Sequence, residues 1–208
     1  MLAYALLTST PGAQAPDEEI VAFYESGSQR RLILVGLYVM PFAGIAFLWF
    51  CMAMRVWLRA GSLPWGELVS GVQLASGILY VALFFAAAAA SSVMAVSIEF
   101  SSSAVDPVIA RQFPQYGATL LLGFAMRMAA MFVFTTSRLG RMTGVLPRWF
   151  AGLGLLAGLF LLLSASSNRA LVLVFPLWMV ALCAVLLARA WRRPRAAAQA
   201  PPAAPSRW

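Results

Sequence analysis

The chain has 208 residues, of which 62% are hydrophobic and only 11% are charged, and its mean hydropathy is +0.84. One soluble core could not bury so much apolar surface, so the composition predicts an integral membrane protein. The net charge of +8 comes from 15 arginines against seven acidic residues, with no lysine. Because the arginines stand singly or in pairs at the ends of apolar runs, they indicate membrane anchors rather than a nucleic-acid-binding face.

Residue types that carry common chemistries are missing from the chain. It contains neither histidine nor lysine. This removes the usual base of a serine or cysteine nucleophile, a Walker A phosphate loop and Schiff-base chemistry. The two cysteines, Cys51 and Cys183, lie far apart in apolar runs, so no redox pair, metal site or haem site is expected. The sequence therefore predicts no catalytic residues and no cofactor, and we expect a protein that is not an enzyme.

Residues 1–31 are predicted to form an N-terminal segment that precedes the bundle. The first 15 residues superficially resemble a secretory signal, but their apolar part is short and no basic residue precedes it, so retention is preferred to cleavage. From Pro16 a helix is expected, because proline suits the first helical turn and three carboxylates follow it. Its apolar face consists of Ile20, Phe23 and Tyr24. This pattern predicts a short amphipathic helix at the membrane surface.

Residues 32–190 are predicted to form an all-α transmembrane bundle. A helix needs about 20 apolar residues to cross a bilayer core of about 30 Å. Five runs approach that length, at about 32–54, 68–96, 115–136, 149–165 and 170–188. Pro41 is expected to kink the first run, and the second is long enough to tilt or protrude. Five crossings are therefore expected, with six as the alternative.

The connections between the runs also carry expectations. Residues 97–114 are predicted to form a loop with room for one short helical turn. The tetrapeptide 166–169 is short enough to make an antiparallel hairpin of the last two runs. Residues 191–208, rich in proline, alanine and arginine, are predicted to be disordered.

Arg127 is a charged residue near the middle of a predicted span. An arginine at the centre of a membrane helix costs about 2.5–3.5 kcal/mol on insertion scales, so it needs an internal partner or a water-filled cavity. Gln73 and Ser76 are expected at comparable depth, and carbonyls freed by Pro41 and Pro176 are further expected partners. A polar staple between helices is preferred to a ligand or ion site at this position.

Two further sets of residues are assigned structural roles. Gly154 and Gly158 form a GxxxG spacing in the fourth run, which favours close packing of helices within the bundle over dimerisation. The last run ends in a basic cluster that serves as a topogenic anchor and can also bind anionic lipid headgroups. This cluster consists of Arg189, Arg192, Arg193 and Arg195.

The arginines are unevenly divided between the two ends of the predicted bundle. Nine lie at one end: Arg55, Arg59, Arg138, Arg141, Arg148, Arg189, Arg192, Arg193 and Arg195. Four lie at the other: Arg30, Arg31, Arg111 and Arg169. The positive-inside rule then predicts a multi-pass protein of the cell membrane with its N-terminus outside and its C-terminus in the cytoplasm. An aromatic belt is expected at the cytoplasmic interface, formed by Trp57, Trp65, Trp149 and Trp191.

Several short sequences resemble a known group of proteins. The stretch Ser137–Leu163, with Leu-Pro-Arg-Trp at 146–149, and the Phe-Pro-Leu-Trp sequence at 175–178 resemble the C-terminal half of small uncharacterised polytopic membrane proteins of actinobacterial type. The opening from Asp17 to Tyr24 is similar to their N-terminal part. The resemblance covers about Pro16 to Arg189 and implies a helical bundle. Because those proteins are grouped as domains of unknown function, it implies no activity and no catalytic residues.

The function predicted from these observations is a non-enzymatic accessory or structural membrane protein. The alternative is a permease, or a membrane protein that binds lipid or a small anion, with Arg127 in its cavity. An intramembrane enzyme ranks third. The expected partners are membrane lipids and, further, another membrane protein or a second copy of the chain. A water-accessible cavity at Arg127 would favour the alternative, and a solidly packed interior favours the accessory role.

Overall fold

The computed structural model describes residues 15–58, 65–101, 104–163 and 172–198, with side chains described up to residue 191. These residues form helices and no strands, which confirms the predicted all-α bundle of membrane type. In chain order the elements are α1 Asp17–Glu25, α2 Gly27–Trp57, α3 Gly66–Ser101, α4 Pro107–Ala118, a π-helical segment Thr119–Ala125, α5 Met126–Met142, α6 Arg148–Leu163 and α7 Val174–Ala198.

Four helical stretches are long and apolar enough to cross a membrane: Gly27–Trp57, Gly66–Ser101, Pro107–Met142 and Val174–Trp191. The third joins α4, the π-helical segment and α5 into 36 residues, or about 54 Å at 1.5 Å per residue. α6 is apolar but shorter, at 16 residues. The helices thus extend beyond the predicted runs at 32–54, 68–96 and 115–136, and the longest exceed the thickness of a bilayer core.

The predicted loop at 97–114 is mostly helical. α3 continues to Ser101, and α4 begins at Pro107. The side chain of Asp106 caps α4 by accepting hydrogen bonds from the backbone N–H groups of Val108, at 2.8 Å, and Ile109, at 3.3 Å. An acidic cap followed by proline at the first helical position strongly favours the start of a helix. The sequence therefore contained a signal for α4 that the predicted loop did not take into account.

The helix α1 packs its apolar face against the bundle. Ile20 and Tyr24 of α1 have almost no exposed surface. They belong to a small core at one end of the bundle, formed by Ile20, Tyr24, Ile33, Met40, Ala88, Met94, Ala95 and Ala110. Arg111 of α4 holds the start of α1 by donating to the carbonyl of Ala15 at 2.8 Å and to Asp17 at 2.6 Å.

The main core lies in the other half of the bundle and has four aromatic rings at its centre. Phe47 of α2, Tyr80 of α3, Phe132 of α5 and Phe175 of α7 meet there. Tyr80 and Phe175 have ring centroids 4.8 Å apart, and Phe47 and Phe132 have ring centroids 5.3 Å apart. The edge-on and tilted geometries are those that aromatic rings prefer, so one ring from each of four helices closes the middle of the bundle.

The turn between α5 and α6 brings the end of α5, the start of α6 and the C-terminal half of α7 together. Gly144 has φ +69°, a left-handed conformation that favours glycine, and the N–H of Leu146 bonds back to the carbonyl of Gly140 at 2.8 Å. Arg189 of α7 donates from Nη1 to the carbonyls of Gly144, at 2.7 Å, and Val145, at 2.8 Å. The C-terminal half of α7 therefore lies at the same end of the bundle as this turn.

The predicted disorder of 191–208 is wrong for its first part. α7 continues through Pro194 to Ala198, and the alanines at 196–198 favour helix at its end. Residues 199–208, the tetrapeptide 166–169 and the first 14 residues lie outside the described part of the chain.

Candidate functional site

Arg127 lies two residues after the end of the π-helical segment, and its side chain folds back along its own helix. Its Nη1 donates to the carbonyl of Leu122 at 3.0 Å and to the carbonyl of Gly123. Both acceptors belong to the segment in which the helix is widened to i→i+5 bonding, as in the bond from the N–H of Met126 to the carbonyl of Leu121. The arginine thus finds backbone acceptors without leaving its helix.

The expectation that Gln73 and Ser76 hold Arg127 is not met. Gln73 donates from Nε2 to Thr136 Oγ1 at 2.7 Å, and Ser76 donates to the backbone carbonyl of Gln73 at 2.9 Å. Since Arg127 precedes Thr136 by nine residues on the same helix, it lies about 13 Å along the axis from Gln73. The depth was misjudged because the helix of Arg127 extends to Met142, six residues past the predicted end.

The proline kinks do not supply the acceptors either. Pro41 and Pro176 would each leave the carbonyl four residues earlier, that of Leu37 or Val172, without its usual helical donor. The described hydrogen bonds of Arg127 go to its own helix and not to these two carbonyls. Backbone carbonyls were the right kind of partner, but the π-helical segment provides them. No sequence signal marks that segment, because it has ordinary apolar residues, TLLLGFA.

Arg127 has no acidic side chain of its own chain as a partner. All seven acidic residues lie in the described part of the chain, where the ion pairs are Arg30–Glu99 at 2.9 Å and Arg111–Asp17 at 2.6 Å. The remaining five are Glu18, Glu19, Glu25, Glu67 and Asp106, which lie at or near helix ends. The guanidinium of Arg127 therefore keeps an unpaired positive charge in the middle of a 36-residue helical stretch.

A neutral polar cluster lies between Arg127 and the α5–α6 turn. Its buried members are Ser70, Gln73, Ser76, Thr135, Thr136 and Ser137. Within the described residues, Gln73 Oε1 and the hydroxyls of Ser70 and Ser137 have no hydrogen-bond partner. These groups are neutral, so they offer hydrogen bonds but no acid–base pair among themselves. The Thr-Thr-Ser run at 135–137, in an apolar stretch, was the sequence signal for it.

Gly154 and Gly158 of α6 lie at the contact with α5. A Cβ at Gly154 would clash with the hydroxyl of Ser137 and would lie 3.1 Å from Trp178 Nε1. A Cβ at Gly158 would lie 3.2 Å from the ring of Phe134 and 3.3 Å from the carbonyl of Ala130. The GxxxG spacing thus serves close approach of two helices of the same chain.

The basic end of α7 has a structural contact as well as charge. Arg189 donates two hydrogen bonds to the α5–α6 turn, so this arginine has a structural role within the protein in addition to its charge. Arg192, Arg193 and Arg195 continue the same helix, and their side chains lie outside the described part.

The two ends of the bundle differ in charge. We call one end of the bundle the acidic end. It carries α1, the start of α2, the end of α3 and the start of α4. It holds six of the seven acidic residues: Asp17, Glu18, Glu19, Glu25, Glu99 and Asp106. The opposite, arginine-rich end holds Arg55, Arg138, Arg141, Arg148 and Arg189. At that end the four tryptophans of the expected belt are all exposed: Trp57, Trp65, Trp149 and Trp191.

Comparison with known proteins adds no assignment to this geometry. No protein family, curated protein or solved structure matches the chain. The resemblance to actinobacterial membrane proteins therefore stays a prediction. Among the residues that the structure describes, no three cysteine, aspartate or glutamate side chains come together in a way that could hold a metal ion.

Proposed function

We propose that the chain is a non-enzymatic accessory membrane protein, a multi-pass bundle of the cell membrane. The observation that carries this proposal is the aromatic closure at the centre of the bundle. Phe132 and Phe175 are almost fully buried, and the four rings come from α2, α3, α5 and α7. A permease for an anion needs a polar or hydrated path at this depth. The packed rings favour a protein that acts through its surfaces.

The exterior supports a membrane location. Large apolar side chains are exposed along the outside of several helices, as at Tyr38 and Trp49 of α2, Leu156 of α6 and Val180 of α7. An apolar surface of this extent would be a liability in water and is ordinary where lipid is the solvent. This surface also leaves room for contact with other membrane proteins.

The charge distribution supports an orientation with the arginine-rich end in the cytoplasm. Three arginines at the acidic end, Arg30, Arg31 and Arg111, run against this orientation. Two of them, Arg30 and Arg111, form ion pairs with Glu99 and Asp17, so their charge is largely compensated. The net charge therefore differs between the two ends in the same direction as the arginine count.

The lengths of the helices favour an extramembrane cap on the outer side. A core of about 30 Å accommodates about 20 helical residues, so α2, measured from Arg55, reaches the outer boundary near Val35. By the same measure from Arg138, the boundary on the third stretch lies near Ala118. The helices α1 and α4 would then lie outside the bilayer, and their small core would straddle its boundary, with Met40 and Ala88 on the membrane side.

Flux measurements on the purified full-length protein test the accessory role against the permease. The protein is reconstituted into vesicles of phosphatidylethanolamine and phosphatidylglycerol, and efflux of chloride and of phosphate is measured against protein-free vesicles. We expect no flux above the protein-free level. Anion flux that the wild type shows and that Arg127→Leu abolishes would establish the permease and overturn the accessory role.

A further inference from the structure

We infer that the surface around Arg127 binds a transmembrane helix of another protein that carries an aspartate or glutamate at mid-membrane depth. This inference rests on the accessory role proposed above and names the chemistry of the partner. Its starting point is a guanidinium in the middle of a long apolar stretch that no acidic side chain of its own chain approaches.

A second copy of the chain cannot provide the missing carboxylate. Gln73 lies opposite Thr136, so Glu67, six residues before Gln73 on the antiparallel α3, lies opposite the end of α5. Glu67 is therefore about 22 Å from the level of Arg127. At the other end, Asp17 lies beside Arg111, which is 16 residues or about 24 Å from Arg127 along the helix. In either orientation of a second copy, its carboxylates lie near the bundle ends.

The surface beside Arg127 permits close approach of a helix. A Cβ added at Gly123 would meet only Thr119, at 3.8 Å, so the space above this glycine is open. The neighbouring Phe124 is 56% exposed, and Arg127 itself is half-buried. A small residue one turn from a polar one on a partly exposed helix face is a pattern that lets membrane helices approach and hydrogen-bond.

The guanidinium has donors left for a carboxylate. Both of its described hydrogen bonds start from Nη1. Arginine has five N–H donors in a planar fork, and Nε and Nη2 are the pair that a carboxylate engages with two parallel bonds. The bonds from Nη1 to the backbone fix the side chain along its helix and thereby reduce the freedom that a partner has to immobilise.

The depth favours a helix-borne carboxylate over a lipid headgroup. Arg127 is 11 residues from Arg138, or about 16 Å along the helix, which is half the thickness of a bilayer core. A lipid phosphate lies at the interface and would have to sink by more than ten ångströms. A transmembrane helix carries its aspartate to this depth, where the carboxyl is neutral when alone and ionises when it pairs with an arginine.

Association with designed helices tests the inference directly. The probe is a synthetic transmembrane helix of leucine and alanine with one central aspartate and a fluorescent donor, and the full-length protein carries an acceptor fused to its C-terminus. Energy transfer is measured in phosphatidylcholine vesicles. We expect the aspartate probe to associate at least tenfold more tightly than a probe with central leucine, with an asparagine probe between them. Moving the aspartate two turns toward either end should remove the preference.

Three variants separate the charge from the fold. Arg127→Leu should abolish the preference for aspartate, and Arg127→Lys should retain part of it, because lysine keeps the charge without the planar fork. Gly123→Leu should block approach while the arginine and the local packing remain. Gly152→Leu on α6 is the matched control, since a Cβ there also meets nothing within 4 Å, and it should leave association unchanged.

Several outcomes would overturn the inference. Equal association of the aspartate and leucine probes would do so, as would a preference for aspartate that survives Arg127→Leu. Enrichment of phosphatidylglycerol around the protein that depends on Arg127, without preference among the probes, would assign the site to a lipid headgroup instead. These results leave the accessory role standing, whereas anion flux would remove that role itself.

Discussion

Replacing Gly154 by alanine should destabilise the bundle, whereas the same change at Gly152 should not. The two glycines lie two residues apart on α6 and differ in what a methyl group would meet. At Gly154 it would clash with the hydroxyl of Ser137 and come within 3.1 Å of Ser137 Cβ and Trp178 Nε1, and at Gly152 it would meet nothing within 4 Å. The pair therefore isolates helix packing from helix propensity.

The expected size of the effect follows from two opposing contributions. Overpacking of a well-packed contact costs about 1–3 kcal/mol, and replacing glycine by alanine inside a helix returns up to about 1 kcal/mol. Gly154→Ala should therefore lose up to about 2 kcal/mol of unfolding free energy, Gly152→Ala should gain a few tenths or more, and the difference between the two variants should be about 1–3 kcal/mol. Ser137→Ala should partly rescue Gly154→Ala, because it removes the hydroxyl but leaves the Cβ contact.

The assay is reversible unfolding of the purified protein in mixed micelles of dodecyl maltoside with increasing sodium dodecyl sulfate. Far-UV circular dichroism follows the helices, and tryptophan fluorescence follows the packing around Trp178. If Gly154→Ala were as stable as Gly152→Ala, the close contact between α5 and α6 would be wrong, and with it the intramolecular role of the GxxxG spacing.

Three further predictions concern the ends of the bundle. Arg189→Gln should lower the unfolding free energy by about 1–3 kcal/mol, because two hydrogen bonds to the carbonyls of Gly144 and Val145 are lost. Arg148→Gln, at an exposed position, is the control, and its unfolding free energy should stay within about 0.5 kcal/mol of the wild type in the same assay. A double-mutant cycle of Asp17→Asn and Arg111→Gln should give a coupling free energy of only about 0.2–1 kcal/mol, because both side chains are partly exposed. Each single change should nevertheless speed the hydrogen exchange of backbone amides in α1. Unchanged exchange would show that this ion pair does not hold the helix. Burial raises the pKa of Tyr24 from 10.0 to about 12, so the folded state favours the neutral phenol and the protein should lose stability as the pH rises from 10 toward 12. Thermal unfolding of Tyr24→Phe should lack this loss of stability. A spectroscopic titration in which all tyrosines have a pKa near 10 would contradict the burial of Tyr24.

The fold class was predictable because the apolar composition and the length of the apolar runs reflect burial in lipid. Neither depends on how the helices pair with one another. Helix ends were less predictable, since α4 is too polar for an apolar-run search and is marked only by the Asp106 cap. The partners of Arg127 were out of reach for a different reason. The pairing of Gln73 with Thr136 depends on the register between two helices, and the π-helical segment depends on local backbone geometry that apolar residues do not signal.

The membrane topology is the claim on which the placement of Arg127 and of the outer cap depends, and reporter fusions measure it most directly. Alkaline phosphatase, active outside, and green fluorescent protein, fluorescent inside, are fused after residues 62, 106, 144, 167 and 198. The account predicts that fusions after 62, 144 and 198 are cytoplasmic and that those after 106 and 167 are external. The reverse pattern would contradict the orientation, and a cytoplasmic signal after 167 would show that α6 does not cross the membrane.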